Sequence, residues 1–348
     1  MPLVSVLLPV FNAAPDLPRA IHSLGIQTLK DFEVIAIDDG STDGSGQLLD
    51  EFSRRDPRIK VVHQDNAGTL SKVLNTAAQL ARGKYLARQD ADDASDPTRL
   101  QRQVQYMETN PKTGLCGTWV WYIESNLGPF LSHELPDNHK ILLRFLEKGM
   151  NPLTHGSVMM RTDLFQQAGG YRGSFSEDLD LWIRLSEKTR LGMVTHVGYY
   201  YWRSTSSISV GATLRQKALN QLIIKLHAER IGAGHEITDW NSEYERIANT
   251  NPGESQPEER QAAIHYARAL NLLRMSRWTE YRLELQKSSL ASGPYAQKAK
   301  RNLRLAWAAP LLRMVYRITE MREPFAYARR FKPGTPLPEF LAAGNNLG

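Results

Sequence analysis

The sequence predicts an α/β fold on a mostly parallel central sheet, followed by an α-helical C-terminal region. Three observations predict it. Strand-like apolar runs alternate with helical patterns over the first 109 residues. Those runs are almost continuously apolar, as expected where helices cover both faces of a sheet. Strand signals then stop after about residue 209, whereas amphipathic helical ones continue. In order, strands are predicted over 4–10, 33–38, 60–63 and 84–87, interleaved with helices over 16–24, 45–54, 69–81 and 96–108. A mixed stretch over 114–202 carries strands at 115–123, 157–160 and 191–197 and a helix around 179–187, and reads as the second half of the same domain. Helices over 214–230, 258–275, 278–290 and 295–318 follow, separated by GAGHE and NPGESQPEE. A boundary is therefore expected near residue 211, between a domain over 1–210 and a helical region over 211–348. The helices share no clean period, so a solenoid is not predicted.

Composition narrows the function less than it narrows the class. The 348 residues are 41% hydrophobic and 23% charged, which is ordinary for a globular chain able to bury a large core. A net charge of +6 suits a phosphate-bearing ligand, a nucleic acid or an anionic membrane surface. The single cysteine, Cys116, excludes an internal disulfide, fits a reducing compartment and, lying in an apolar run, is expected to be inert core. No run approaches the roughly 20 apolar residues of a membrane span, and MPLVSVLLPV lacks a basic leader, so a cytoplasmic protein is expected.

Ligands of parallel sheets gather at the carboxyl ends of the strands. Each suggestive polar cluster of the first half falls there, at 9–12, 38–43, 64–68 and 90–93. The last contains Asp90, Asp92 and Asp93. Three acids so close repel one another, and a hard divalent cation reconciles them; a solvated acidic turn is the alternative. In IDDGSTDGS, Asp39 is the candidate for contact with a base or ribose, while Ser41, Thr42 and Asp43 read equally as a strand-turn-helix with its cap. The glycines from Gly40 to Gly46 do not form a dinucleotide fingerprint, and no Walker sequence occurs.

Taken together, VSVLLPVFNAAPDLPRAIHSLGIQT, DFEVIAIDDGSTDGS, QDNAGTLSKVLNTAAQLARGKYLARQDADDASDPTRLQRQV, NPLTHGSVMMR and GGYR…SEDLDLWIRL, in this order, resemble the family 2 glycosyltransferases of GT-A fold, over about residues 2–209. The resemblance implies inverting transfer of a sugar from a nucleotide diphosphate sugar, with a UDP-sugar as the default donor. It implies Mg²⁺ or Mn²⁺ on the DxD acids Asp90 and Asp92, with Asp92 the more direct ligand, Asp90 alternatively facing the ribose, and Asp93 open. Pro9, Val10, Phe11, Asn12 and Asp39 would hold the nucleoside. Lys72, in the stretch beginning at Asn66, would approach base or phosphates, or is simply an exposed helix lysine. Asp178, beside Glu177, matches the general base; by itself the pair is an acidic helix start favoured by the dipole. Trp182, one turn on, would lie on the same face against a sugar or else in the core. His155 matches a histidine on the acceptor side. In YYYWRSTSSIS, Arg203 fits the diphosphate-closing loop, but Thr205 stands where the family has histidine, leaving a third metal ligand to His196 or water.

From Lys298 to Lys332 the chain has ten Lys or Arg against Glu320 and Glu323. This basic, apolar-interleaved stretch suits peripheral contact with an anionic bilayer carrying a lipid-linked acceptor, or a solvated helical face, or an oligomer contact. Nucleic acid is not expected as a partner, since no recognised module accompanies the charge. The function expected is metal-dependent transfer to a glycan or lipid-linked acceptor in surface polysaccharide synthesis. The alternatives are a sugar nucleotidyltransferase, whose Gly- and Arg-rich first loop is replaced by FNAAPD, and a non-catalytic scaffold, against which Asp90, Asp92 and Asp178 argue.

Overall fold

A computed structural model describes residues 1–124, 128–203, 214–249, 265–266, 269, 278–291, 293–304, 327–331 and 335–343. The first half alternates β1 (Val4–Val10), α1 (Leu17–Gly25), β2 (Phe32–Asp39), α2 (Ser45–Arg55), β3 (Ile59–Gln64), α3 (Leu70–Leu80), β4 (Tyr85–Arg88), the two-residue β5 (Ala94–Ser95) and α4 (Arg99–Thr109). Next come β6 (Thr113–Glu124), β7 (Gly128–His133), α5 (His139–Glu147), β8 (Met159–Arg161), α6 (Thr162–Gln167), α7 (Glu177–Ser186) and β9 (Arg190–Arg203). The C-terminal part adds α8 (Leu214–Ala233), α9 (Trp240–Asn249), α10 (Trp278–Ser289), α11 (Gly293–Arg304), β10 (Ala328–Arg330) and α12 (Glu339–Ala343).

The strands form one sheet in the order β10-β7-β6-β8-β4-β1-β2-β3. β3, β2, β1 and β4 are mutually parallel, as predicted, and β9 runs parallel along β6. β8 enters antiparallel between β4 and β6. Alternation along each buried strand explains the continuous apolar runs. Leu7, Ile35 and Ile37 face a core completed by α3, α5 and α7, whereas Val4, Val6, Leu8, Val34 and Ala36 face one completed by α1, α2 and α4. Cys116 is fully buried there. Helices α8 and α9 extend the first core through Leu219, Ile223, Leu226, Trp240 and Tyr244.

Several elements differ from the sequence reading. The predicted helix over 96–108 begins only at Arg99, because Asp96 Oδ1 accepts from the Thr98 backbone N–H and hydroxyl at 2.8 and 2.6 Å, and the chain turns around Pro97. Residues 155–157 form a 3₁₀ turn rather than the start of a strand. β7, β10, α5 and α9 were not predicted; β7 returns from β6 as a hairpin, and β10 is a three-residue edge strand whose pairing with β7 is non-local. Most of the helix predicted over 258–275, the part of the last predicted helix beyond residue 304, and Thr205 lie outside the described residues. Among the described residues no helix is long and apolar enough to cross a membrane.

Candidate active site at the carboxyl ends of the strands

One end of the candidate site is built from the loops after β1 and β2, which are laced together. The Asn12 N–H donates to Ser41 Oγ at 3.0 Å and Asn12 Oδ1 accepts from the Thr42 N–H at 2.8 Å; the Ala13 and Ala14 N–H groups donate to Ser45 Oγ and Asp43 Oδ2, each at 2.9 Å. Asn12 holds a left-handed backbone (φ +48°), a conformation Asn tolerates better than most residues. Ser41, Thr42 and Asp43 thus tie loop to loop, while Pro9 and Val10 close β1 and Phe11 stands 53% exposed beyond them. Asp39 is buried, and its Oδ1 accepts from Gln64 Nε2 at 2.7 Å and the Ala67 N–H at 2.8 Å, fixing the loop that contains Asn66. Gly40 (φ +75°) is needed for that approach, since a Cβ would lie 3.0 Å from the Asn66 nitrogen. Lys72 is exposed on the first turn of α3.

The acid loop between β4 and β5 is clamped from behind. Arg99 is fully buried; its guanidinium donates to Gln89 Oε1, Ser95 Oγ and the carbonyls of Arg88 and Val158. Asp93 is buried and accepts the Trp202 N–H on Oδ1 at 2.7 Å, so it anchors the loop to β9. Burial, reinforced by Asp90 and Asp92, holds its carboxyl well above the usual range. Asp90 forms an ion pair with Arg88, whose side chain is 2% exposed, and its N–H donates to the Tyr199 hydroxyl at 3.0 Å. Asp92 is pushed up to about 6, first by burial and then by Asp90, and its carbonyl accepts from Arg19.

Because the folded Asp92 value is raised, the folded chain binds the extra proton; ligand-free stability falls as pH rises through the carboxylate range to about 6 and gains as pH drops. Asp92→Asn is therefore expected to stabilise the ligand-free protein at pH 7, by on the order of 1–3 kcal/mol, while weakening metal-dependent donor binding. Denaturant unfolding and nucleotide titration check both; an unchanged metal dependence would remove Asp92 from the ligand set.

The second acid pair opens α7. Asp178 is partly buried, with Oδ2 accepting from Asn151 Nδ2 at 2.5 Å and Oδ1 from the Leu179 N–H at 2.7 Å, and burial raises its carboxyl. Burial and the neighbouring Asp178 push Glu177 up to about 8. His155 Nδ1 lies 3.8 Å from Glu177 Oε1 and its Nε2 lies 3.0 Å from the Tyr171 hydroxyl; burial, and then Arg88, hold this imidazole neutral. The two acid pairs meet at one short turn. His155 faces Glu177, and Gly156 sits so tightly on Tyr199 that a Cβ there would collide with the phenol and lie 2.8 Å from Asp90 Oδ2.

These positions bear on two readings that the sequence left open, those of Trp182 and His196, and Arg203 falls partly outside them. Trp182 is fully buried, edge-on to His155 and Tyr171, so it packs the 155–157 turn from beneath as a core residue. His196 points at Asp96 (3.6 Å) rather than joining the acid loop. Arg203 ends β9 opposite Glu124, and its side chain lies outside the described residues. Among the described residues no group of three His, Cys, Asp or Glu is arranged to hold a metal. The two candidate carboxylates, Asp90 and Asp92, would suit a hard cation that took its other oxygens from elsewhere.

Arg88, Arg99, Tyr199 and Asp180 escaped the sequence reading. Asp180 is fully buried and receives two guanidinia: Arg172 at 2.9 Å and Arg184 at 2.6 Å; Arg172 also reaches Glu236 at 2.7 Å. This network mounts α7, and with it Glu177 and Asp178, on the helices that follow. The i,i+4 spacing of Asp180 and Arg184 was its one local signal.

A mostly parallel central sheet with carboxylates gathered beyond its strand ends is the architecture of a glycosyltransferase of GT-A fold. The chain belongs to glycosyl transferase family 2, whose model matches residues 5–169. It is 32% identical to Bacillus subtilis (strain 168) EpsE over 210 residues, 59% of this chain and 74% of that protein. It is also 32% identical over 185 residues to the O-antigen biosynthesis glycosyltransferase WbnJ of Escherichia coli, 53% of this chain and 71% of that one. The structure of S. aureus TarS 1–349 in complex with UDP-GlcNAc shares the fold, with a TM-score of 0.56 over 92% of each chain at 16% identity.

Proposed function

We propose that this glycosyltransferase moves a sugar from a nucleotide diphosphate sugar, a UDP-sugar by preference, to a glycan or lipid-linked acceptor in surface polysaccharide synthesis, by metal-dependent inversion. The observation that carries this reading is the meeting of the two acid pairs across the 155–157 turn. The name of WbnJ, an O-antigen biosynthesis enzyme, supports a polysaccharide acceptor.

In this reading Asp39 and residues 9–12 hold the nucleoside, Lys72 approaches the base or the phosphates, and Arg203 belongs to the loop that closes on the diphosphate. Asp92, with Asp90 beside it, would hold Mg²⁺ or Mn²⁺; the chemistry such an ion supplies when bound is neutralisation of charge on the departing diphosphate. Asp178 removes the proton from the acceptor hydroxyl. Asn151 and the Leu179 N–H fix its carboxylate for that task. Glu177, kept neutral at pH 7, leaves Asp178 as the ionised member of the pair and offers a hydrogen bond to the acceptor. His155, itself bonded to the Tyr171 hydroxyl, stands 3.8 Å from Glu177, with Trp182 beneath it.

The pH dependence follows. A base must be ionised, so kcat falls as pH drops through the Asp178 value, and burial starts that fall at a higher pH than for a solvated aspartate. A second ionisation at higher pH is expected from Glu177, whose carboxyl burial and the neighbouring Asp178 hold above the usual range. Glu177→Gln is expected to retain transfer at pH 7 and lose the upper ionisation; a profile unchanged at both ends would contradict the assignment.

A panel of nucleotide sugars with Mn²⁺, followed by thermal unfolding, tests the donor class. A donor at 100 times its Kd stabilises by about 2.7 kcal/mol. Stabilisation by UDP-sugars is expected; response to another base alone would replace UDP in this reading.

A further inference from the structure

The C-terminal segment is built into the back of the acid loop. β10 pairs antiparallel with β7, matching Ala328 to His133 and Arg330 to Leu131, and the Glu134 N–H donates to the Tyr327 carbonyl at 2.8 Å. Phe331 then packs edge-on against Trp121 with ring centroids 4.4 Å apart. Past residue 335, Phe340 meets Tyr200 edge-on at 5.5 Å, and Leu341 is 2% exposed in a cluster with Ala94, Ile123, Tyr200 and Trp202. Three of those partners lie next to the acid loop. Ala94 follows Asp93 and pairs with Tyr200 across the β5–β9 ladder. The Trp202 N–H is the donor that Asp93 accepts, and its ring carries the Arg19 guanidinium at 4.0 Å. Arg19 in turn holds the Asp92 carbonyl. Tyr199, one residue before Tyr200, bonds Asp90.

We propose that Phe340 and Leu341 are positioning residues for the diphosphate and metal end of the donor site: they press Tyr200 and Trp202 against the acid loop and so fix where Asp90 and Asp92 stand. Deleting a fully buried aliphatic side chain leaves a cavity into which its neighbours relax. Here the neighbours that would relax are Tyr200 and Trp202: Trp202 carries the hydrogen bond to Asp93 and the cation–π contact with Arg19, and Tyr200 directly follows Tyr199, which bonds Asp90. The nucleoside end, laced separately by Asn12, Ser41, Asp43 and Asp39, shares none of these contacts. The proposal rests on the reading of Asp90 and Asp92 as the metal-side acids, and it makes the C-terminal segment part of the catalytic unit.

The test uses the full-length chain as wild type, Leu341→Ala and Phe340→Ala. Binding of UDP and GDP is titrated with Mn²⁺ and with EDTA, alongside thermal unfolding. For the nucleotide that binds, wild type is expected to bind more tightly with Mn²⁺. Both variants are expected to lose tenfold or more of that metal-dependent gain, to bind as wild type does in EDTA, and to unfold cooperatively. Equal binding with and without Mn²⁺ in wild type would overturn the metal reading and the proposal built on it. A full metal-dependent gain in both variants, whatever their unfolding temperature, would overturn the proposal and leave the metal reading standing. Phe340→Ala, which trims a partly exposed ring, reports if Leu341→Ala fails to fold.

Discussion

Asp178→Asn is expected to lower transfer by about 10²- to 10⁴-fold, the usual contribution of a positioned base, while nucleotide affinity and unfolding temperature stay close to wild type. The asymmetry comes from the site itself. Asp178 stands in the first turn of α7 and, among the described residues, hydrogen-bonds with Asn151 and the Leu179 N–H, and none of the hydrogen bonds around Asp39, Asn12 or the acid loop pass through it. Asparagine keeps the volume and the hydrogen-bonding oxygen, so the α7 start survives. What is lost is the capacity to accept a proton and one of the two accepting positions, the one toward Asn151. Relief of a buried charge adds a small gain in stability. Loss of nucleotide binding in the variant would recast Asp178 as part of the donor site, and retained transfer would assign the base elsewhere.

Asp180→Ala is expected to be the most damaging single change to the fold, costing about 3–5 kcal/mol, a large part of the roughly 5–15 kcal/mol that separates folded from unfolded chains. Asp180 is fully buried, and its removal leaves the Arg184 guanidinium, 8% exposed, without a carboxylate. Arg172 keeps Glu236, so most of the penalty falls on Arg184. Asp180→Asn is expected to lie between wild type and Ala, since it retains hydrogen-bond acceptance without charge. Denaturant midpoints order the three proteins; a midpoint for Asp180→Ala equal to wild type would show that α7 is mounted by its apolar face alone. The opposite effects expected at Asp178 and Asp180, on the same helix and two residues apart, separate chemistry from scaffold.

Much of this was legible in the chain because it is local. Continuous apolar runs at β1 and β2 are what a doubly covered strand requires, and the acids at 90–93 follow the fourth run directly. The motif order from the first loop to α7 carried the family. What the chain hides is set by distant partners. Arg88 could not be read as the cation for Asp90 from spacing alone, and the bonds of Tyr199 to Asp90 and Trp202 to Asp93 each bridge 109 positions. Trp182 has the spacing of a sugar-stacking residue and of a core residue alike, and its burial decides for the core. His196 failed as a substitute ligand because β9 aims it at Asp96. The C-terminal segment looked like a basic tail because charge is visible in sequence, whereas Phe340 and Leu341 reveal their role only against Tyr200 and Trp202.

Inverting sugar transfer with Asp178 as the base is the step on which the other assignments turn. Proton NMR of the first-formed sugar, taken with a donor nucleotide sugar and Mn²⁺ and with water as acceptor, reads it directly. The expected product has an anomeric configuration opposite to that of the donor, and is formed by wild type and absent with Asp178→Asn. A first-formed product that retains the donor's configuration would rule out inversion, and with it the role assigned to Asp178.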